Sequence, residues 1–273
     1  MRIRSRYLIL AAAAAVAMLI PAPAQQPAPK KKKLLAIGAC KGFHHDAVSH
    51  GLATVWKIGQ ESGLWDTYIK TDTELLTKRK LGGNAKTLDY FDAVLFYTTG
   101  EIDLTDEQKK DLLSFVRDDG KGFLGAHSAT DTLYKWPEYG EMIGGYFDHH
   151  PWNQFQAPVI VEDRTFPATK HFPSEFTIHD EIYQIKEFSR DRVRVLMRLD
   201  ENKIDLARKN VNRKDKDFAV TWVRDYGKGR VFYSTLGHRE DAWDRPDVQK
   251  MWLEAVKWAM GMTQGSATPR PRP

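Results

Sequence analysis

The chain has 273 residues, 42% of them hydrophobic, with 41 basic against 36 acidic side chains and a formal net charge of +5. That length suits one domain with a sizeable core, and so small a charge excess argues against a dedicated nucleic-acid binder. The single cysteine, Cys40, excludes an internal disulfide and a cysteine-built structural zinc site.

At the start, Arg2, Arg4 and Arg6 precede an apolar run over residues 8–20, and Ala22-Pro23-Ala24 offers a small-residue cleavage site. The run is about 13 residues long, against the roughly 20 that a spanning helix needs. Residues 1–24 therefore read as a signal peptide rather than an uncleaved anchor. The expected location is periplasmic or secreted, with no membrane contact after cleavage. Residues 25–33, rich in proline and lysine, read as a disordered leader. Without the three signal arginines the net charge is about +2. The folded domain is expected over 34–263, with 264–273 as a loose tail.

Within the domain, five apolar runs read as strands: 34–37, 67–69, 93–97, 122–126 and 231–235. Several are continuous rather than alternating, as strands covered on both faces should be. Between and after them, helical periodicity predicts helices over 47–61, 105–117 and 243–260. Thr105 and Gln108 form a capping box for the second, and Asp118-Asp119-Gly120 stops it. Strands 159–161, 182–185, 193–199 and 218–223 follow one another with few helices between them. The expected fold is α/β, a three-layer, mostly parallel sheet with an antiparallel extension. Gly38-Ala39-Cys40-Lys41-Gly42 after the first strand lacks both nucleotide-binding glycine patterns, so no nucleotide is expected.

Six of the nine histidines fall where predicted strands end. His44 and His45 follow the first strand, His127 follows 122–126, His149 and His150 close Gly144-Gly145-Tyr146-Phe147-Asp148-His149-His150-Pro151, and His238 follows 231–235. Open α/β sheets bind ligands just outside the carboxyl ends of their strands, so these residues can converge. Neutral imidazoles with a carboxylate suit a divalent ion, and histidine with a carboxylate also suits proton transfer. Asp180 and Glu181, in His179-Asp180-Glu181-Ile182-Tyr183, reach such a site only if the middle region folds back on it. Ser128, next to His127 on the strand-to-helix turn, is weighed as a nucleophile, but the second glycine of a G-x-S-x-G elbow is absent.

Gly42-Phe43-His44-His45, Gly125-Ala126-His127-Ser128-Ala129-Thr130-Asp131, the Gly144–Pro151 segment, His179-Asp180-Glu181-Ile182-Tyr183 and the run from Gly227 to His238 together resemble the ThuA-like family, the trehalose-utilisation group. That family is similar in fold to the class I glutamine amidotransferases, and the match runs over about 33–261. The resemblance implies a flavodoxin-like or amidotransferase-like sheet and a role in sugar metabolism, in pathways that pass through 3-keto sugars. It does not extend to glutaminase chemistry. His127 stands where that fold needs a cysteine, and the pair that His238 and Glu240 echo cannot form a thioester alone.

The expected function is a periplasmic sugar isomerase, lyase or hydrolase. It would act on a glycoside or keto-sugar by metal-assisted or histidine–carboxylate chemistry, and a non-catalytic carbohydrate-binding protein is the alternative. His127, His238, Glu181 and Asp131 are the expected catalytic residues. His127, His150 and His238 are the expected ligands of a divalent ion such as zinc or manganese. His44, His45, Ser128, Trp152 and Tyr146 are the expected substrate contacts, with Trp136 and Tyr134 as further rings that suit a pyranose. The expected partner is a small sugar, and the oligomeric state is left open.

Overall fold

A computed structural model describes residues 30–272. The signal-peptide reading and most of the leader lie outside the described residues. Five parallel strands make the first part of the sheet: β1 (Lys32–Ile37), β2 (Trp65–Lys70), β3 (Ala93–Phe96), β4 (Gly122–Ala126) and, late in the chain, β11 (Gly229–Ser234). The extension is antiparallel and comprises β6 (Gln154–Val161), β7 (Glu175–Glu181), β9 (Arg194–Leu199) and β10 (Ala219–Tyr226). The nine strands run in the order β2-β1-β3-β4-β11-β10-β9-β6-β7. The parallel part thus has the flavodoxin-like order.

Helices cover both faces. Along β1, Leu34 and Ala36 belong to the core shared with α1 (Ala47–Ser62), α4 (Glu240–Asp244) and α5 (Pro246–Ala259). Leu35 and Ile37 belong to the opposite core, shared with α2 (Asp106–Arg117) and α3 (Pro137–Ile143). The period of two along a strand feeds two helical layers, which explains the continuous apolar runs. The Thr105–Gln108 capping box forms as expected, with Gln108 N donating to Thr105 Oγ1 at 3.2 Å.

Four local features depart from expectation. β1 begins at Lys32, because the Lys32 and Lys33 ammonium groups pair with Asp92 and Asp66 and so belong to the sheet rather than to a leader. The expected 243–260 helix is two helices, broken at Arg245, with Pro246 starting the second, a position where its missing N–H costs nothing. The expected 182–185 strand is divided. β7 ends at Glu181, and β8 (Gln184–Lys186) pairs with β5 (Tyr146–His149) in a separate two-stranded sheet. Residues 264–272 lie against the domain, with Trp258 Nε1 donating to Gly265 O at 3.0 Å and Ala267 buried. Among the described residues no helix is long and apolar enough to cross a membrane.

A buried ion network braces the extension. The Arg190 guanidinium reaches both oxygens of Glu162 at 2.8 Å and Asp217 at 2.6 and 2.8 Å. Burial works against its charge, but the hydrogen bonds to Asp217 and Glu162 outweigh it and hold its pKa above the usual value. Arg190→Ala should lower the unfolding free energy by about 3–5 kcal/mol, because it strands desolvated Asp217 and leaves Glu162 with Arg198 alone, at 2.8 Å. Urea titration reads this directly, and a loss below about 1 kcal/mol would place the network in effective contact with solvent.

Candidate functional site

The carboxyl ends of β1, β4 and β11 each deliver one histidine. His45 follows β1, just ahead of α1. His127 opens a 3-10 turn, His127–Thr130, directly after β4, with φ 41°. A left-handed backbone is strained for a residue with a Cβ, and such turns aim a side chain over the top of a sheet. His238 follows β11 through Leu236 and Gly237, and Gly237 has φ 120°. Glu181 arrives as the last residue of β7.

Their donor atoms all lie within 4.8 Å of one another. His127 Nε2 is 3.3 Å from His238 Nδ1 and 3.7 Å from Glu181 Oε1, and His238 Nδ1 is 3.2 Å from Glu181 Oε1. Two ligands of a tetrahedral zinc, with bonds of about 2.05 Å, sit about 3.3 Å apart, so these separations suit one small cation. His127 Nδ1 lies 2.7 Å from Thr235 O and can only donate to a carbonyl, which leaves the lone pair of Nε2 facing the cluster. His45 Nε2 meets the Tyr183 hydroxyl at 3.3 Å, and its buried Nδ1 has no partner.

Burial disfavours charge on the rings. Desolvation, reinforced by His238, lowers the His45 pKa to about 4, and desolvation with the neighbouring histidines takes fully buried His127 well below its ordinary value. For His238 burial also pulls down, but the hydrogen bond and charge of Glu181 outweigh it and the pKa rises. Arg239 Nη1 donates to Gln154 Oε1 at 2.8 Å, turning the Gln154 amide nitrogen toward His238 Nε2 at 3.0 Å. His238 then carries its proton on Nδ1, facing Glu181. Two neutral imidazoles, one releasable proton and one carboxylate fit a divalent ion, whose binding would displace that proton.

Around the cluster lies an open cleft of about 570 Å³, lined by Phe43, His44, His45, Gln154, His238 and Arg239 among others. Phe43 is 64% exposed and its ring lies 4.7 Å from that of His45.

The other expected site residues fall in two groups. His150 stands beside the cluster rather than in it, with Nδ1 3.4 Å from the second oxygen of Glu181 and a half-exposed ring, and His45 occupies the place expected for it. Asp131 is also outside the four donors. Burial raises its pKa, and its carboxylate accepts from Tyr134 Oη at 2.5 Å. His44 lines the cleft and is exposed. Ser128, Trp152 and Tyr146 are core residues, not substrate contacts. Ser128 is fully buried, Trp152 donates to Asp205 O at 2.9 Å, and Tyr146 is tied to Trp136 O at 2.5 Å. Trp136 is buried as well. Phe43, Gln154, Arg239 and Tyr183 escaped sequence reasoning as site residues. Phe43 and Tyr183 carried a signal, since each adjoins a histidine or acid motif.

The family model for trehalose utilisation, ThuA, matches residues 33–259. No curated protein matches the chain. Among solved structures, a ThuA-like protein of Bacteroides uniformis is 22% identical, with 87% of this chain and 95% of that chain covered at a TM-score of 0.69. A ThuA-like protein of Parabacteroides merdae is 18% identical over 87% and 93%, TM-score 0.66, and a cytoplasmic protein of Salmonella typhimurium is 11% identical over 83% and 98%, TM-score 0.54. At these identities the likeness is one of fold. With its sheet order, its histidine elbow and a family match over nearly the whole described domain, the chain belongs to the ThuA family of trehalose utilisation and has a carbohydrate-related function.

Proposed function

We propose that the protein is an exported enzyme that binds a glycoside or keto-sugar in the cleft beside the histidine cluster and moves a proton on it. The observation that carries this reading is the convergence of His45, His127, His238 and Glu181 to within 4.8 Å at the wall of an open cleft. These four residues would hold a divalent ion such as zinc or manganese, which supplies Lewis-acid polarisation of a sugar oxygen. A carbonyl acidifies the neighbouring C–H, so an enediolate forms once a base takes that proton.

The chain's own groups suit that task. Glu181 is buried, with one oxygen toward His127 and His238 and the other toward His150. His150 has 41% of its side chain exposed and so links Glu181 to solvent, as a proton carrier rather than a ligand. Asp131 and His44 flank this path as a second carboxylate and a substrate contact. Export rests on the amino-terminal Arg2–Ala24 pattern.

Elemental analysis of protein purified without chelator should find about one equivalent of a transition metal, and a candidate 3-keto-glycoside should turn over. Dipicolinate treatment should remove the metal and the turnover together. Protein that holds no metal and leaves every keto-glycoside unchanged would overturn the proposal.

A further inference from the structure

A second hollow, of about 620 Å³, adjoins the cleft and shares His44, His45 and Asp46 with it. Its character differs. The first cleft is lined by charged and amide side chains, including Arg239, Asp241 and Gln154, whereas the second is floored by Val48 and Leu52 of α1 and Ile69 of β2. The close approach that builds this floor is specific. A Cβ on Gly38 would meet Leu52 Cδ1 at 2.7 Å and Val48 Cγ1 at 3.1 Å, so a larger residue here would push both side chains of the floor aside.

Ile69 is 41% exposed. It and Phe43 are two of the four large apolar side chains that stand exposed among the described residues, and each lines one of the two hollows. Within the second hollow Ile69 adds its exposed surface to Val48 and Leu52, and apolar surface gathered in one place marks a contact with something apolar.

Resting on the carbohydrate reading above, we infer that the substrate is a glycoside with an apolar aglycone. The sugar occupies the polar cleft beside His45 and His238, the glycosidic oxygen passes over His44–Asp46, and the aryl or alkyl aglycone covers Val48, Leu52 and Ile69. The two hollows have His44, His45 and Asp46 in common, which argues for one ligand spanning both. A free monosaccharide would leave the apolar hollow wet, and a second sugar ring such as that of trehalose would set hydroxyls against Val48, Leu52 and Ile69, with Ser49, Thr71 and Asp46 as the polar partners elsewhere in the lining.

Calorimetry with methyl and phenyl 3-keto-glucosides, in both anomeric forms, tests this. At least one phenyl form should bind tenfold or more tightly than its methyl counterpart. Ile69→Gln should cut that preference below threefold while leaving the methyl glycoside within twofold of its original affinity, and Val48→Thr should do the same by a near-isosteric change. Equal affinity for methyl and phenyl forms, or variants that weaken both alike, would overturn the aglycone assignment and leave the carbohydrate reading standing. Failure of all four to bind would remove the carbohydrate reading, and this inference with it.

Discussion

His127→Gln should strip the metal content to a small fraction and lower turnover of a keto-glycoside by about 10²–10⁴-fold, because without the ion's polarisation the proton transfer that Glu181 serves is lost as a whole. The expectation follows from how completely this ring is committed. It is fully buried, its Nδ1 is spent on Thr235 O, and its Nε2 is the atom that meets both His238 and Glu181. Glutamine keeps most of the volume and can still donate to the Thr235 carbonyl, so the fold should survive. It then offers no imidazole lone pair to a cation. A variant at His150, outside the four donors, should keep its metal. If His127→Gln retained both full metal occupancy and full turnover, the cluster would not be the reacting centre.

How much of this centre was legible depended on whether a residue's position follows from its own strand. His45, His127 and His238 lie eight, one and four residues past the ends of parallel strands, and parallel strands put all their carboxyl ends on one edge. Continuous apolar runs reveal such strands, so the convergence of these three could be read directly. β7 could not be read this way. Its residues alternate between exposed and buried, as an outer antiparallel strand does, and they resemble loop sequence. Glu181 could therefore be proposed, but its route to the site could not. That route is tertiary, with Tyr183 N donating to Thr235 Oγ1 at 3.0 Å and Asp180 accepting from Gly237 N at 2.6 Å, which tie the end of the extension to the end of β11.

The aromatic residues failed for a different reason. Tryptophan and tyrosine suit a sugar platform and a core equally well. Trp152 and Tyr146 have their polar atoms bonded to backbone carbonyls inside the protein, while Phe43, which has no such atom, is left in the open. Composition cannot separate these cases, because the difference lies in which ring finds an internal acceptor. His150 is similar. Its place at the close of the Gly144–Pro151 segment qualified it as a ligand, yet His45 stands among the four donors instead.

Asp180→Ala should cost about 3–5 kcal/mol of stability and disable the site even where the protein remains folded. Asp180 is fully buried, and its carboxylate accepts from three backbone amides: Gly237 at 2.6 Å, Glu181 at 3.0 Å and Arg239 at 3.2 Å. Two of these flank His238, so one side chain fixes the loop that carries a cluster histidine. Alanine would take the carboxylate acceptor away from these three N–H groups. Asparagine supplies one acceptor oxygen but turns its NH₂ toward an N–H, so Asp180→Asn should fall between wild type and alanine.

Burial, against the pull of those amides and of His238, pushes the Asp180 pKa up to about 7, well above the ordinary carboxylate range. Because the folded value is the higher one, the stabilisation is complete below about pH 4 and is lost as pH rises through about 7. The stability gap between wild type and Asp180→Asn should therefore narrow from pH 4 to 7. Urea unfolding across that range measures the gap, and metal content at low denaturant reports on His238. A variant that kept its stability and its metal would mean that the loop after β11 is held by other contacts, such as the bonds from Tyr97 and Trp243 to Gly237 O.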